Sequence, residues 1–122
     1  MRFLCLAYGA EEGWRALSSE EQAALLAQDD VLRGRGDLVA AVHPTPTTVR
    51  SPDGRTTTSD GAFAESPVPL AGFGIIEAAD LDEAIRLVAD TPCARAGGAV
   101  VLRPIGEIND VAWARRVLGS SS

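Results

Sequence analysis

Two carboxylates lie close together in a segment that Gly61, Pro67 and Pro69 keep out of regular structure. They belong to Asp60 and Glu65. A carboxyl group in a half-buried cleft can acquire a raised pKa and act as a general base. Asp60 can instead cap its own turn, and Glu65 can pair with an arginine. The segment therefore predicts either the acidic edge of a pocket or a loop held by its own side chains.

The chain has a single histidine, His43, at the end of a predicted strand. Its ordinary pKa lies near neutrality, so it is a second candidate for proton transfer, with a structural role as the alternative. Arg50 and Arg103 also end predicted strands, and each can hold a carboxylate or phosphate through two parallel hydrogen bonds. Salt bridges to acidic residues of the same chain are the alternative for both arginines.

Aromatic side chains can complete such a pocket, although core packing is their ordinary role. The predicted catalytic residues are Asp60 and His43. The predicted ligand-binding residues are Glu65, Arg50, Arg103, Phe63 and Tyr8.

Metal and nucleotide chemistry are not predicted. One histidine and two distant cysteines, Cys5 and Cys93, lack the spacing of a metal site. Neither a G-x-G-x-x-G nor a Walker pattern is present, so we expect no nucleotide cofactor. The cysteines form no C-x-x-C motif, and a reducing, cytoplasmic location is predicted.

The charge distribution argues against nucleic acid and membranes as partners. The net charge is −6, and all 11 basic residues are arginines scattered along the chain. A nucleic-acid-binding protein usually has a clustered basic patch. No apolar run approaches the roughly 20 residues that a membrane-spanning helix requires.

The elements that must position these residues follow from apolar periodicity and turn signals. Alternation predicts main strands over 2–8, 38–43, 70–77 and 99–103. A hairpin is predicted over 47–58, with its turn at Ser51-Pro52-Asp53-Gly54.

Two main helices are predicted between the strands. Ser19 with Gln22, and Asp80 with Glu83, resemble capping boxes. The predicted buried positions of the helices are Ala24, Leu25, Val31 and Leu32 in the first, and Leu81, Ala84, Ile85 and Val88 in the second. A short final helix is predicted from Asn109 or Asp110.

This order of elements is the split βαβ pattern of a ferredoxin-like α+β fold with an inserted β-hairpin. The long strand carries Phe73 and Ile75 on one side, and Gly72 and Gly74 on the other. The helix-free face of such a sheet would be covered only by a partner, so a homodimer is predicted.

The segment Asp60-Gly61-Ala62-Phe63-Ala64-Glu65 resembles the D-G-P-F-x-E signature of the DGPF branch of the YCII-related family. Its flanks, including Gly72-Phe73-Gly74-Ile75 and Leu102-Arg103-Pro104-Ile105, are also similar. The resemblance implies a dimeric α+β barrel over residues 1–106, with a pocket between sheet and helices and a C-terminal extension over 107–122.

The resemblance leaves the activity open. The family's genes often lie beside extracytoplasmic-function sigma factors, and a few relatives carry out acid–base elimination or isomerisation on small ring compounds. The family's histidine near the start of the first main helix has no counterpart in Glu21-Gln22-Ala23. We therefore expect a dimeric ligand-binding or regulatory protein, for which the resemblance implies a sigma factor as partner, and keep a cofactor-independent enzyme as the alternative.

Overall fold

The computed structural model describes residues 1–62, 64, 66–106 and 115–116. Between residues 1 and 106 they form six strands and four helices. In chain order these are β1 (Arg2–Tyr8), α1 (Glu11–Arg15), α2 (Ser19–Gly34), β2 (Leu38–Ala41), β3 (Thr47–Arg50), β4 (Thr57–Asp60), β5 (Leu70–Glu77), α3 (Leu81–Val88), α4 (Pro92–Arg95) and β6 (Ala99–Pro104).

The main sheet has the strand order β2-β5-β1-β6, and all its neighbouring strands are antiparallel. Strand β5 separates β1 from β2, and β1 separates β5 from β6, so both β-α-β crossovers are split. This topology confirms the predicted ferredoxin-like α+β fold. Strands β3 and β4 form a separate hairpin around a 3₁₀ turn, and β4 begins two residues later than predicted.

The helices pack on the face of the sheet to which Phe3, Cys5 and Ile76 point. Phe3 and Ile76 are each 1% exposed and pack in one cluster with Leu32 of α2 and Ala84 of α3. Complete burial of a large apolar side chain contributes about 1.5–3 kcal/mol. This cluster therefore holds α2 and α3 against the sheet.

The opposite face of the sheet, called here the open face, carries Leu4, Leu6, Phe73, Ile75 and Val101. Their side chains share one side because Leu4 lies opposite Ile75, and Leu6 lies opposite both Phe73 and Val101. Phe73 is 37% exposed and Val101 is 42% exposed. The sheet thus has an apolar side that the helices do not cover.

The N-cap of α2 lies one residue before the predicted one. Ser18 is the N-cap: its hydroxyl accepts the Glu21 N–H, and the Glu21 carboxylate accepts the Ser18 N–H. The Ser19–Gln22 box was therefore wrong, because a carboxylate at the third helical position binds the N-cap amide. Asp80 caps α3 as predicted, by accepting the Glu83 N–H at 2.8 Å.

The buried faces of both helices are rotated from the predicted ones. In α2, Leu25 and Leu32 are buried as predicted, but Val31 is 51% exposed. In α3, Leu81 and Ile85 are 50% and 47% exposed. The error has one cause: both predicted stripes were placed to one side of the true contact face.

In α3 the small side chain of Ala84, fully buried, sets the contact with the sheet. Leu87 on one side of it and Val88 on the other pack against the core. At about 100° per residue, Ile85 lies about 100° away from Ala84 and so falls outside this face. The helix contact is consequently narrower than the apolar stripe in the sequence.

Two short helices were not predicted. Helix α1 spans five residues, and α4 spans four and begins with Pro92 at its first turn. Helices this short are not stable by their own propensity and depend on packing, so sequence periodicity cannot reveal them. The predicted C-terminal extension over 107–122 lies outside the described residues apart from Arg115 and Arg116. No helix among the described residues has the length and apolarity needed to cross a membrane.

Candidate functional site

A cavity of about 300 Å³ lies between the helix-covered face of the sheet and the helices. Strands β1, β2, β5 and β6 form its floor, and α2, α3 and α4 with Thr91 form its other walls. Its lining residues are Cys5, Ala7, Leu26, Asp29, Leu32, Arg33, Leu38, Val39, Ala40, Ala41, Ala71, Gly72, Phe73, Gly74, Ile76, Val88, Thr91, Pro92, Cys93 and Val100.

Small residues on the strands leave this volume open. Ala7 and Ala71 line the cavity together with Gly72 and Gly74. A Cβ atom on Gly72 would lie 2.5 Å from the carbonyl oxygen of Ala40, closer than real Cβ contacts allow. The glycines therefore permit close approach of β2 and β5, and at the same time they add no side chain to the cavity floor.

Asp29 places a carboxylate in this mainly apolar lining. It lies four residues after the buried Leu25 and three before the buried Leu32, and therefore on the inward face of α2. Its side chain is half-buried and forms no hydrogen bond with another described residue. Burial raises the pKa of this carboxyl; the Arg33 guanidinium acts in the opposite direction, and the Asp30 carboxylate raises it further.

Two thiols share the cavity with Asp29. Burial raises the pKa of Cys93, and the negative charge of Asp29 raises it further. Burial, with a smaller effect from Asp37, raises the pKa of Cys5 to about 11. Both cysteines are free, and the raised pKa values of their thiols favour the protonated form near neutrality. A protonated thiol is a weak hydrogen-bonding group and a poor nucleophile.

Thr91 supplies another polar atom to the cavity lining. Its hydroxyl donates to the Val88 carbonyl at 2.6 Å, at the end of α3. Arg33, on the turn after Asp29, is paired with the exposed Asp30 at 3.0 Å. The charged residues of the cavity lining are thus Asp29 and Arg33. Of these two, Asp29 forms no ion pair with another described residue.

The structure places the two predicted proton-transfer residues on the surface. Asp60 is exposed at the end of β4, opposite Thr47, and His43 is exposed just after β2. Neither lines the cavity between sheet and helices. The Asp60 carboxylate forms no hydrogen bond with another described residue, so the predicted cap of its own turn is not seen among these residues.

The predicted ligand-binding residues are spread over three places. Arg50 is exposed at the end of β3, in the hairpin, and Arg103 is exposed in β6, opposite Leu4. Tyr8 is half-buried at the end of β1. Phe63 and Glu65 lie outside the described residues. The two arginines therefore do not line the sheet–helix cavity.

A second, more open hollow of about 490 Å³ lies where the segment after β4 meets the ends of β1 and β6. Tyr8 and Val101 contribute to it from the sheet, and Ala64 and Ser66 from the segment. Ala64 and residues 66–68, which follow Asp60, border this concave surface. Among the described residues that were predicted as ligand contacts, Tyr8 lines it. Asp60 itself does not.

Asp29 was missed by the sequence reasoning, although a signal for it exists. An aspartate four residues after one buried leucine and three before another interrupts the apolar stripe of an amphipathic helix. The rotated stripe assigned to α2 left this position on the polar side. No cluster of three or more histidine, cysteine, aspartate or glutamate side chains suitable for a metal occurs among the described residues.

Comparison with known proteins places the chain in a family context. The YCII-related domain matches residues 1–109. An uncharacterized protein of Rhizobium meliloti is 32% identical over 114 residues, which is 86% of this chain and 92% of that protein.

Among solved structures, the chain resembles 5-chloro-2-hydroxyhydroquinone dehydrochlorinase of Burkholderia phenoliruptrix in complex with 2,5-dihydroxybenzoquinone. The TM-score is 0.47 at 19% identity, and the match covers 88% of this chain and 96% of that one. A structural similarity of this extent gives no information about the chemistry of this chain.

Proposed function

The chain belongs to the YCII-related family, and we propose that it binds a small, mainly apolar organic molecule in the cavity between sheet and helices. The observation that carries this proposal is the cavity itself, about 300 Å³ in volume and lined mostly by apolar side chains. Ligand sites are typically concave, mainly apolar and equipped with a few polar groups. The cavity, with Asp29 and two thiols, has this composition.

The volume indicates the size of the ligand. An apolar cavity of about 150 Å³ holds one benzene molecule. The cavity here is twice that volume, which is sufficient for one substituted ring or two fused rings.

The binding proposal is tested with 1-naphthylmethanol, a neutral two-ring compound whose fluorescence reports binding. Ala7→Leu extends a side chain from β1 into the cavity. Each displaced CH₂ contact costs about 0.8 kcal/mol, so a displacement of two carbons weakens binding by roughly tenfold. Ala79→Leu is the matched control, because Ala79 is exposed and does not line the cavity. Equal affinities of the two variants would place the binding site elsewhere.

A second candidate function is cofactor-independent acid–base catalysis, favoured by the raised pKa of Asp29 in an apolar cavity. Asp60 and His43 remain proposed proton-transfer residues. Deuterium exchange at the α-carbon of 2-tetralone in D₂O provides an assay that needs no known substrate. Loss of protein-accelerated exchange in Asp29→Asn, Asp60→Asn or His43→Gln identifies the base. No acceleration by the wild-type protein would argue for binding alone.

The homodimer is part of the proposal. The apolar open face supports it, since Phe73 and Val101 would otherwise present apolar surface to water. Phe73→Glu should convert a dimer into a monomer in light scattering at micromolar concentration. Leu81→Glu, on the exposed side of α3, should leave the dimer intact. A monomeric wild-type protein would refute this assembly.

The remaining expectations have different support. Both cysteines are free, which supports the proposed cytoplasmic location. Arg50, Arg103, Tyr8, Phe63 and Glu65 stay proposed ligand contacts. The DGPF branch and a sigma-factor partner stay predictions of the sequence resemblance.

A further inference from the structure

Helix α2 carries a charged residue where an apolar one would stabilise the fold. Leu25 and Leu32 are 9% and 3% exposed, and Asp29 lies between them on the same face. A carboxylate in such a position loses hydration without gaining a compensating hydrogen bond from another described residue. A leucine at this position would extend the core. The aspartate therefore lowers the stability of the fold, and packing does not explain its presence.

The surroundings of Asp29 indicate which kind of ligand group would compensate for the hydration that its carboxylate loses. Arg33, whose charge acts on Asp29, is paired with Asp30 at 3.0 Å, and their side chains are 52% and 76% exposed. The cavity side offers the Cys93 thiol, which is only a weak hydrogen-bond donor. The Asp29 carboxylate therefore accepts no hydrogen bond from the described residues, while the lining apart from Asp29 and Arg33 is mainly apolar.

We propose that the ligand of this cavity is a small organic cation, with an apolar ring or chain in the cavity and a protonated amine bound to the Asp29 carboxylate. This inference rests on the proposed ligand-binding function and adds the ligand's charge and orientation. A charge-assisted N–H···O bond is about twice as strong as a neutral one. The net charge of −6 also favours the approach of a cation over that of an anion.

The orientation of the ligand follows from the position of Asp29 in the cavity. Asp29 and Arg33 contribute from α2, whereas the strands that form the floor contribute no charged residue. The ammonium group would therefore lie on the α2 side, and the apolar body would lie against the strands. The Thr91 hydroxyl donates to the Val88 carbonyl and keeps its lone pairs, but as a neutral acceptor it binds an ammonium group less strongly than the Asp29 carboxylate.

The test compares three compounds with the same two-ring body: 1-naphthylmethylamine, 1-naphthylmethanol and 1-naphthoate. At pH 7 they are a cation, a neutral alcohol and an anion. Each is titrated into the full chain by fluorescence or calorimetry. We expect the amine to bind at least about tenfold more tightly than the alcohol, a difference of roughly 1.4 kcal/mol. We expect the anion to bind most weakly.

Two variants test whether the Asp29 carboxylate causes the preference for a cation. Asp29→Asn is nearly isosteric and should weaken binding of the amine at least about tenfold, with the alcohol changed less than about threefold. Asp82→Asn removes the same formal charge from an exposed position on α3 outside the cavity lining, so it controls for net charge. Circular dichroism and thermal unfolding confirm that both variants are folded.

The outcomes separate the two proposals. If all three compounds bind with similar affinity and Ala7→Leu weakens their binding, the proposed ligand site is supported and the cation preference is overturned. Tightest binding of 1-naphthoate also overturns it and points to Arg33 instead. If none of the compounds binds, both the cation preference and the proposed binding function are overturned. Equal losses of amine affinity in Asp29→Asn and Asp82→Asn reduce the effect to net charge and overturn the assignment to Asp29.

Discussion

The junction between α2 and β2 depends on Asp37, and substitution of this residue tests how the cavity wall is held. The Asp37 carboxylate accepts the Glu77 N–H at 3.0 Å and the Arg35 Nε–H at 3.0 Å. Arg35 also donates to the Glu77 carbonyl oxygen. These bonds fix the start of β2 to the end of β5, and Leu38, the next residue after Asp37, lines the cavity.

The two bonds of Asp37 differ in their expected contributions. A hydrogen bond to a charged acceptor contributes about 1.5–3 kcal/mol, and the Asp37 side chain is only 6% exposed. The Arg35 side chain is 34% exposed, so solvent screens the ion pair and reduces it to about 0.2–1 kcal/mol. Asp37→Ala removes both bonds, and we expect it to lower the free energy of unfolding by about 2–3 kcal/mol.

Asp37→Asn is the matched variant. Its side-chain carbonyl can still accept the Glu77 N–H, so we expect the main loss to come from the weakened Arg35 contact. The free energy of unfolding should then fall by about 0.5–1 kcal/mol. Urea denaturation followed by circular dichroism gives both values, at one fixed protein concentration because a dimer would make stability concentration-dependent.

Hydrogen exchange at the Glu77 amide separates the two bonds. This amide should exchange faster in Asp37→Ala than in Asp37→Asn, because only alanine removes its acceptor. The reasoning is refuted if the alanine variant is within about 0.5 kcal/mol of the wild-type protein, a difference typical of unremarkable surface substitutions. Equal losses in the two variants would also refute it, because they would assign the stability to charge alone.

Further expected outcomes concern individual side chains. Asp29→Asn should raise the free energy of unfolding at pH 7 by less than about 1 kcal/mol, since the folded state raises the pKa of this half-exposed carboxyl and disfavours its charge. The gain should disappear well below the ordinary carboxyl pKa of 3.8, where both states bind the proton; a destabilised variant at pH 7 would contradict this. The pKa of Cys5 is raised from 9.0 to about 11, so stability should fall as pH rises through that window, where the unfolded thiol ionises first. An unchanged pH slope in Cys5→Ala would exclude this cause. Ser18→Ala removes the cap that accepts the Glu21 N–H and should cost about 1 kcal/mol in thermal or urea unfolding, whereas no loss would show that water replaces the cap.

The strands were largely predictable because their signals are local. Strands β1 and β5 have the predicted bounds, and β6 extends one residue further, to Pro104. Alternation places every second side chain of a strand on the same face, so Phe3, Cys5 and Ala7 could be assigned to one side of β1 without knowledge of the partner strands. The split βαβ order then restricts the sheet to very few topologies.

The helices were less predictable than the strands. A cap depends on residues that are neighbours in sequence, but the face by which a helix contacts the sheet depends on residues distant in sequence. Asp80 was identified from its own sequence neighbourhood, as its hydrogen bond to the Glu83 amide spans one helical turn. The exposure of Ile85 depends instead on the close packing of Ala84 against the sheet. A stripe of apolar residues shows that a helix is amphipathic, but only its neighbours decide which part of that stripe is covered.

The sequence by itself determined that this chain forms an antiparallel sheet with helices on one side, because period-two and capping patterns are properties of neighbouring residues. It also singled out Asp60 and His43 by residue type and by their positions beside turns. The tertiary structure decided which carboxylate lines the sheet–helix cavity, and that residue is Asp29 on α2. A pKa depends on how much water surrounds the group, and that water is displaced by strands and helices distant in sequence, such as the turn of α4 that carries Cys93.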